Sequence, residues 1–270
     1  MARRCGISSL RTGGGLGFFR AAHFEATGLV VHAFSTRQGG VSPAPFDSLN
    51  LGMSSGEKEA NVKKNREILT RAFGFSSRAL VTARQIHGDD ILVIDSASPE
   101  GFAGAPCDAM VTDRPGVAVA VLTADCLPLL LLDPVHRTVA AVHLGWKGTA
   151  LNLCGKTVGL LRERFGARPE CLLAAVGPSI GPCCYEVDES LRSSFTLEEH
   201  RWDHWARPSG SGRWKLDLQR ANIDLMTDSG ILEGNIVWFD ICTRCREDLF
   251  FSYRRDGEMT GRQMAFIMLK

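Results

Sequence analysis

The longest apolar segments of the chain are of strand length, and several are apolar at every position instead of every second one. Val117-Ala-Val-Ala-Val-Leu and Leu129-Leu-Leu-Leu are the extreme cases. Alternation marks a strand with one wet face, so its absence predicts strands covered on both sides. Strand-like runs fall at 29–35, 79–86, 91–95, 109–112, 117–123, 127–132, 138–143, 172–176, 236–239 and 263–268. Helical spacing predicts a helix over 57–73, where Val62, Leu69 and Phe73 share a face and Gly74 terminates it. A second helix runs from a cap at Thr149 to Phe165, with Arg162 and Arg164 near its C-terminal end and Gly166 as its stop. Shorter helices are expected at 188–195 and 217–228, a turn-rich loop at 37–45 and a Ser/Gly loop at 208–212. Strands and helices interleave without an internal repeat. The fold class is therefore α/β, with mixed β-sheets covered by helices in a layered single domain over 21–270 and a poorly defined leader over 1–20.

Composition narrows this only a little. A length of 270 residues with 44% apolar and 23% charged residues suits one well-cored domain and argues against extended disorder. Thirty-one basic residues against thirty acidic ones leave +1, so no global field points to nucleic acid or an anionic membrane as partner. Any anion site must be local, and a monomer or homodimer is expected. No apolar run reaches the roughly 18 residues of a membrane span. The early arginines and the Gly13–Gly17 cluster do not make a secretory signal, which together with nine cysteines, an odd number, suggests a reducing cytoplasmic setting.

Three phrases place a potential metal ligand where a strand gives way to a loop: Gln85-Ile-His87-Gly88, Thr123-Ala-Asp125-Cys126 and Val142-His143-Leu-Gly145-Trp146. Two imidazoles and a thiolate would give Zn²⁺ three ligands and leave the fourth tetrahedral position to water or substrate. By spacing alone the three are dispersed, and ordinary core packing accounts for them as well.

Read together with other phrases, they resemble the YfiH-type family of purine nucleoside phosphorylases, long filed as laccase or multicopper polyphenol oxidase. The carriers include Phe34-Ser-Thr-Arg37-Gln38-Gly39-Gly-Val-Ser, Pro45-Phe-Asp-Ser-Leu-Asn50-Leu-Gly, Asp108-Ala-Met-Val-Thr and Leu122-Thr-Ala-Asp-Cys-Leu-Pro. Others are Ala141-Val-His-Leu-Gly-Trp-Lys-Gly-Thr, Gly177-Pro-Ser-Ile-Gly-Pro-Cys-Cys-Tyr-Glu-Val, Cys242-Thr-Arg-Cys245 and Phe251-Ser-Tyr-Arg-Arg-Asp-Gly. Leu144, Lys147 and Ile86 depart from the commoner alanine, arginine and valine without removing a ligand. The resemblance implies a catalytic domain with zinc, or copper, on His87, Cys126 and His143. It further implies purine nucleosides and phosphate as partners in phosphorolysis of adenosine, inosine or methylthioadenosine, and deamination of adenosine.

Deamination asks for a water activated by the metal, whereas phosphorolysis asks for an oriented phosphate and stabilised charge on ribose and base. Arg37, in its glycine loop, is the phosphate candidate, against the alternative of a solvated arginine. Asp125 could act as acid or base, orient a ligand histidine, or simply cap a turn. Asn50 could read ribose or base, or shape a turn; Arg254 and Arg255 could add positive charge near the site, with a solvated edge the alternative for at least one of them.

Some signals compete. Cys242 and Cys245 could form a redox pair or, with Cys183 and Cys184, a four-thiolate zinc site, but adjacent cysteines suit one tetrahedral ion poorly and buried free thiols are the expectation. His200 and His204 read as surface residues. Seven histidines without a His-x-His pair cannot readily build a multicopper centre, so a copper-dependent phenol oxidase is the rival enzyme and a thiol-based redox or ligand-binding protein the non-enzymatic rival.

Overall fold

Strands that are apolar on both sides need two covers, and the fold supplies a sheet for one side and helices for the other. The structure is a computed structural model describing residues 10–270 except 14, 54, 55, 97 and 98. One six-stranded sheet has the order β1 (Arg11–Gly13), β2 (Leu16–Phe19), β3 (Val30–Ser35), β15 (Gln263–Leu269), β7 (Ala118–Thr123), β4 (Leu80–Thr82). The second has the order β14 (Ile236–Trp238), β10 (Leu173–Val176), β8 (Leu127–Asp133), β9 (Thr138–Leu144), β6 (Ala109–Thr112), β5 (Ile91–Ile94). Both are mixed: β4 with β7, β5 with β6 and β10 with β14 run parallel, and the remaining pairs are antiparallel.

Side-chain alternation along β8 shows how the layers are held. Leu130 and Leu132 point between the sheets, onto Val119, Val121, Ala265 and Ile267 of the first sheet. Leu129 and Leu131 point the other way, onto Leu153, Val158 and Leu161 of α4 (Leu153–Phe165) and Leu218, Leu225 and Met226 of α7 (Leu218–Asp228). All four leucines are fully buried, each contributing about 1.5–3 kcal/mol of burial. On the outer face of the first sheet, Ala33, Ala120, Met264 and Phe266 meet Leu69 of α2 (Glu59–Ala72). The order of layers is helix, sheet, sheet, helices, so the inner face of each sheet is covered by the other sheet, not by a helix. Helix α1 (Ala22–Thr27) packs beside β3, where the buried ring of His32 accepts a hydrogen bond from the Ala21 amide at 2.9 Å.

Several expected boundaries move, each for a local reason. Residues 11–13 and 16–19 of the expected leader are paired strands, with Leu16 fully buried; Cys5 and the start of the leader lie outside the described residues. The strand expected over 79–86 ends at Thr82, because the Gln85 amide takes over both backbone groups of Leu122, donating to its carbonyl and accepting from its amide at 2.8 Å. The helix expected from Thr149 is two, α3 (Trp146–Ala150) and α4, broken at Asn152, whose φ of 53° and side-chain bond to the Gly155 amide cap the second. Thr149 instead donates to the Gly145 carbonyl at 3.0 Å. The helix expected over 188–195 shrinks to α5 (Glu189–Arg192), capped by Asp188, and α6 (Trp202–Trp205) follows. The expected Ser/Gly loop at 208–212 is the turn of a hairpin, β12 (Ala206–Gly210) and β13 (Arg213–Leu216), which joins β11 (Glu186–Asp188) in a three-stranded sheet.

Candidate active site

Three strand ends meet where the two sheets come together. His87 lies in the loop after β4, Cys126 in the tight connection from β7 to β8, and His143 near the end of β9. Their ligand atoms all lie within 4.8 Å of one another, and the two imidazoles meet edge to face at a centroid distance of 4.9 Å. His143 is buried, Cys126 half-buried and His87 exposed, so the group has a closed back and an open front.

One carboxylate fixes the ring of His143 and the backbone of the His87 loop. Asp108, immediately before β6, receives the amides of Ile86, His87 and Gly88 at 3.1, 3.1 and 2.8 Å and lies 2.7 Å from Nδ1 of His143. With Nδ1 committed to Asp108, Nε2 of His143 is left for the side of Cys126. The three amides also hold the His87 loop in a conformation that costs strain, since His87 has φ 56°. Burial pushes the Asp108 carboxyl up, but the His143 ring and these amides more than reverse it and hold it below the usual carboxylate range.

The sulfur and the imidazole behind it form a charge pair. Burial pushes the Cys126 thiol up, yet His143 and His87 pull harder and leave it at about 6. Burial pushes His143 down, and Cys126 and Asp108 raise it to about 9. Two imidazoles and an easily ionised thiol are a donor set of zinc or copper type. The backbone leaves room for it: a Cβ on Gly145 would lie 3.1 Å from Sγ of Cys126 and 3.4 Å from Cδ2 of His87. The residues present therefore fit one metal ion.

The group opens into a cavity of about 870 Å³, within the range of small-molecule sites. Arg66, Arg84, Arg254 and Arg262 line it, with Trp146, Tyr185 and Tyr253. Among the described residues none of the four arginines is ion-paired with a carboxylate; Arg66 donates to the Leu51 carbonyl, Arg262 to those of Thr260 and Gly261, and Arg254 to that of Glu186. Burial lowers Arg66 and Arg262 from their ordinary value, but guanidinium remains charged at this depth. Arg254 also lies over the Tyr185 ring at 5.2 Å, and burial pushes the Tyr185 phenol up, so it stays a donor.

The other residues singled out in the sequence are distributed differently. Asp125 lines the cavity in a left-handed conformation, φ 93°, and does not reach a ligand histidine. Its carboxylate receives Thr243 Oγ1 at 2.6 Å, Ser252 Oγ at 2.9 Å and the Arg254 amide at 2.7 Å, the last two from the start of α8 (Tyr253–Asp256). The histidine-orienting part falls to Asp108 instead. Arg37 is not brought to this cavity. It donates to the carbonyls of Asp47 and Glu247, pairs with the Asp47 carboxylate at 3.2 Å and stacks on Phe251. The shallow cleft it lines holds Asp47, Glu247, Asp248 and Asp256 with Arg255, so acidic residues outnumber basic ones there. Asn50 is also away from the cavity: its fully buried amide bonds to Glu57 and accepts from the amides of Gly52 and Arg262, so it shapes the turn that presents Arg262. Arg255 clasps the carbonyls of Thr243, Arg244 and Phe250.

Sequence reading missed Asp108 as the organiser, and Arg66, Arg84 and Arg262 as the cationic wall. Asp108 was detectable as an acidic residue directly before the buried strand run Ala109-Met-Val-Thr; the arginines carry no local signal. His200 and His204 are exposed, as expected. The four later cysteines are not buried free thiols: Cys183 and Cys245 are exposed, Cys184 and Cys242 half-buried, and they converge. Cys107 and Cys154 are the buried ones, with burial pushing their thiols up to about 11 and about 12.

Residues 31–270 match the family model described as multi-copper polyphenol oxidoreductase laccase. The chain is 39% identical over 264 residues to the purine nucleoside phosphorylase of Deinococcus radiodurans, covering 96% of this chain and 95% of that protein. It is 37% identical over 245 residues to the purine nucleoside phosphorylase YlmD of Geobacillus stearothermophilus, covering 88% and 89%. In structure it resembles the hypothetical protein YfiH of Bacillus licheniformis, with a TM-score of 0.90 at 33% identity, covering 97% of this chain and all of that one. The chain belongs to this laccase-described family of YfiH and YlmD proteins.

Proposed function

We propose that the chain is a metal-dependent purine nucleoside phosphorylase that also deaminates adenosine, with adenosine, inosine and methylthioadenosine as its substrate class. The observation that carries this is the joining, in one cavity, of a three-ligand metal group with four arginines free of carboxylate partners. Phosphorolysis of a nucleoside needs both an anion-binding wall and a place to stabilise the departing base. The relatives named purine nucleoside phosphorylase favour the same reading.

His87, Cys126 and His143 would hold zinc, with copper as the substitute in a copper-rich setting. A divalent ion there supplies a Lewis acid and a means of activating water or polarising the substrate. Everything else falls to the protein. Arg66 and Arg262, both braced by backbone carbonyls, grip phosphate as preformed forks and hold it against the anomeric carbon of the ribose. Trp146 offers a flat face for a purine, and the neutral Tyr185 phenol can donate a hydrogen bond as negative charge grows on the base. Asp125 is a positioning residue that ties Arg254 to the cavity wall through its amide. Asp108 orients the His143 ring and holds the backbone of the loop that carries His87.

A multicopper oxidase reading is not favoured by the geometry, because among the described residues only one potential metal group contains histidine. The discriminating assay is incubation of zinc-loaded protein with adenosine, with and without phosphate. Adenine and ribose 1-phosphate appearing only with phosphate, and inosine appearing in both, support the proposal. Oxygen uptake on a phenol without any nucleoside turnover would overturn it.

A further inference from the structure

We propose that Cys183, Cys184, Cys242 and Cys245 form a second, structural zinc site, separate from the His87, Cys126 and His143 group. The four sulfurs all lie within 4.8 Å of one another, although the two pairs are about sixty residues apart in the chain. Cys183 and Cys184 are 3.7 and 3.4 Å from Sγ of Cys245. A tetrahedron of sulfurs with Zn–S bonds of about 2.3 Å has edges of about 3.8 Å, whereas a disulfide would place sulfurs about 2.05 Å apart. The spacing is that of ligands around an ion.

Local structure explains how adjacent cysteines reach one centre. Gly181 opens a turn whose carbonyl receives the amides of both Cys184 and Tyr185, so the chain reverses at Cys183-Cys184 and both sulfurs turn toward the opposing loop. That loop is a Cys-x-x-Cys turn, closed by the Arg246 amide on the Cys242 carbonyl. The segments are held together by a parallel bridge between Ser179 and Cys242. A Cβ on Gly181 would lie 3.3 Å from Cβ of Cys242 and 3.4 Å from Sγ of Cys183, so the close approach depends on glycine.

The surroundings suit thiolates. Four thiols binding Zn²⁺ lose their protons to solvent and leave a complex of net charge −2. The Gly181 amide donates to Sγ of Cys242 at 3.3 Å and the Arg244 guanidinium to Sγ of Cys184 at 3.4 Å, an outer arrangement that offsets such charge. All four tetrahedral positions are taken by protein, which is the pattern of a structural site. The ion would tie the loop that leads into Tyr185 to the loop that carries Thr243, the donor to Asp125. It staples two walls of the cavity without touching it.

The test is metal content of the full chain purified anaerobically with zinc and desalted. Wild type should hold about two zinc ions, Cys126→Ala about one, and Cys242→Ser/Cys245→Ser about one. Cobalt loaded into Cys126→Ala should give a strong thiolate-to-cobalt charge-transfer band, and chelation should lower Tm in that variant. Because the four cysteines are intact in Cys126→Ala, the test survives even if the double variant fails to fold. A wild type with a single ion that Cys126→Ala removes, or a Cys126→Ala protein without the cobalt band, would overturn the proposal. So would disulfides among these four residues in the anaerobic protein. None of these readouts depends on nucleoside turnover, so failure here is distinct from failure of the proposed activity.

Discussion

The chain gathers sulfur at two places, and they differ in everything that decides what a metal there could do. At the first, one thiol meets two imidazoles in a cavity that arginines also line, with Asp108 behind His143. At the second, four thiols meet each other near the surface, with one guanidinium and one backbone amide around them. Three ligands leave a coordination position open to substrate, and four leave none. The difference teaches that ligand count together with the shape of the surrounding space, and not the presence of cysteine, separates a reacting centre from a staple.

The largest effect that would break the contrast is at the ligands. Cys126→Ala should lower phosphorolysis roughly 10³-fold, the several kcal/mol that a Lewis acid contributes, and leave zinc at the four-cysteine site. Steady-state rates beside zinc analysis check this; unchanged turnover would remove Cys126 from the chemistry. Next in size, Asp108→Asn should weaken zinc binding in the cavity by about 10- to 100-fold while the four-cysteine ion stays bound through the same chelator titration. Arg262→Met should then raise KM for phosphate about tenfold with little change in KM for nucleoside, since it removes a charge-assisted grip and no metal ligand.

The effect that leaves both sites untouched near neutral pH concerns the fold that carries them. His32 is buried with its pKa held near 3, chiefly by burial and then by Arg20 and His23, against an ordinary 6.5. The unfolded chain therefore binds a proton that the folded chain refuses between these values. The contribution of His32 to stability is complete above about pH 6.5 and erodes as pH falls toward 3, by up to about 1.4 kcal/mol per unit. Thermal melts against pH should show that slope in wild type and a shallower one in His32→Gln. An identical slope would relieve His32 of the part.

How much of this was legible in the sequence depended on how local each signal was. The all-apolar strands gave away covered sheets, because alternation or its lack is written in neighbouring residues, and His87, Cys126 and His143 stood out at strand ends. Asp108 bonds to His87 and His143 across 21 and 35 residues, and only the folded sheets bring them together. Arg66 is one polar residue among many on α2, and its use depends on where that helix lies. Arg37 misled in the opposite sense: a glycine-rich loop around an arginine suggests an anion site, but Asp47 and the Glu247 carbonyl already occupy it. Cysteine pairs about sixty residues apart likewise show their meeting only after folding.

The most direct measurement of the central claim is anomalous diffraction at the zinc edge from crystals grown with zinc. A peak bonded to His87, Cys126 and His143, facing the arginine-lined cavity, is the predicted result. Catalytically active crystals with no metal peak among those three side chains would contradict the account.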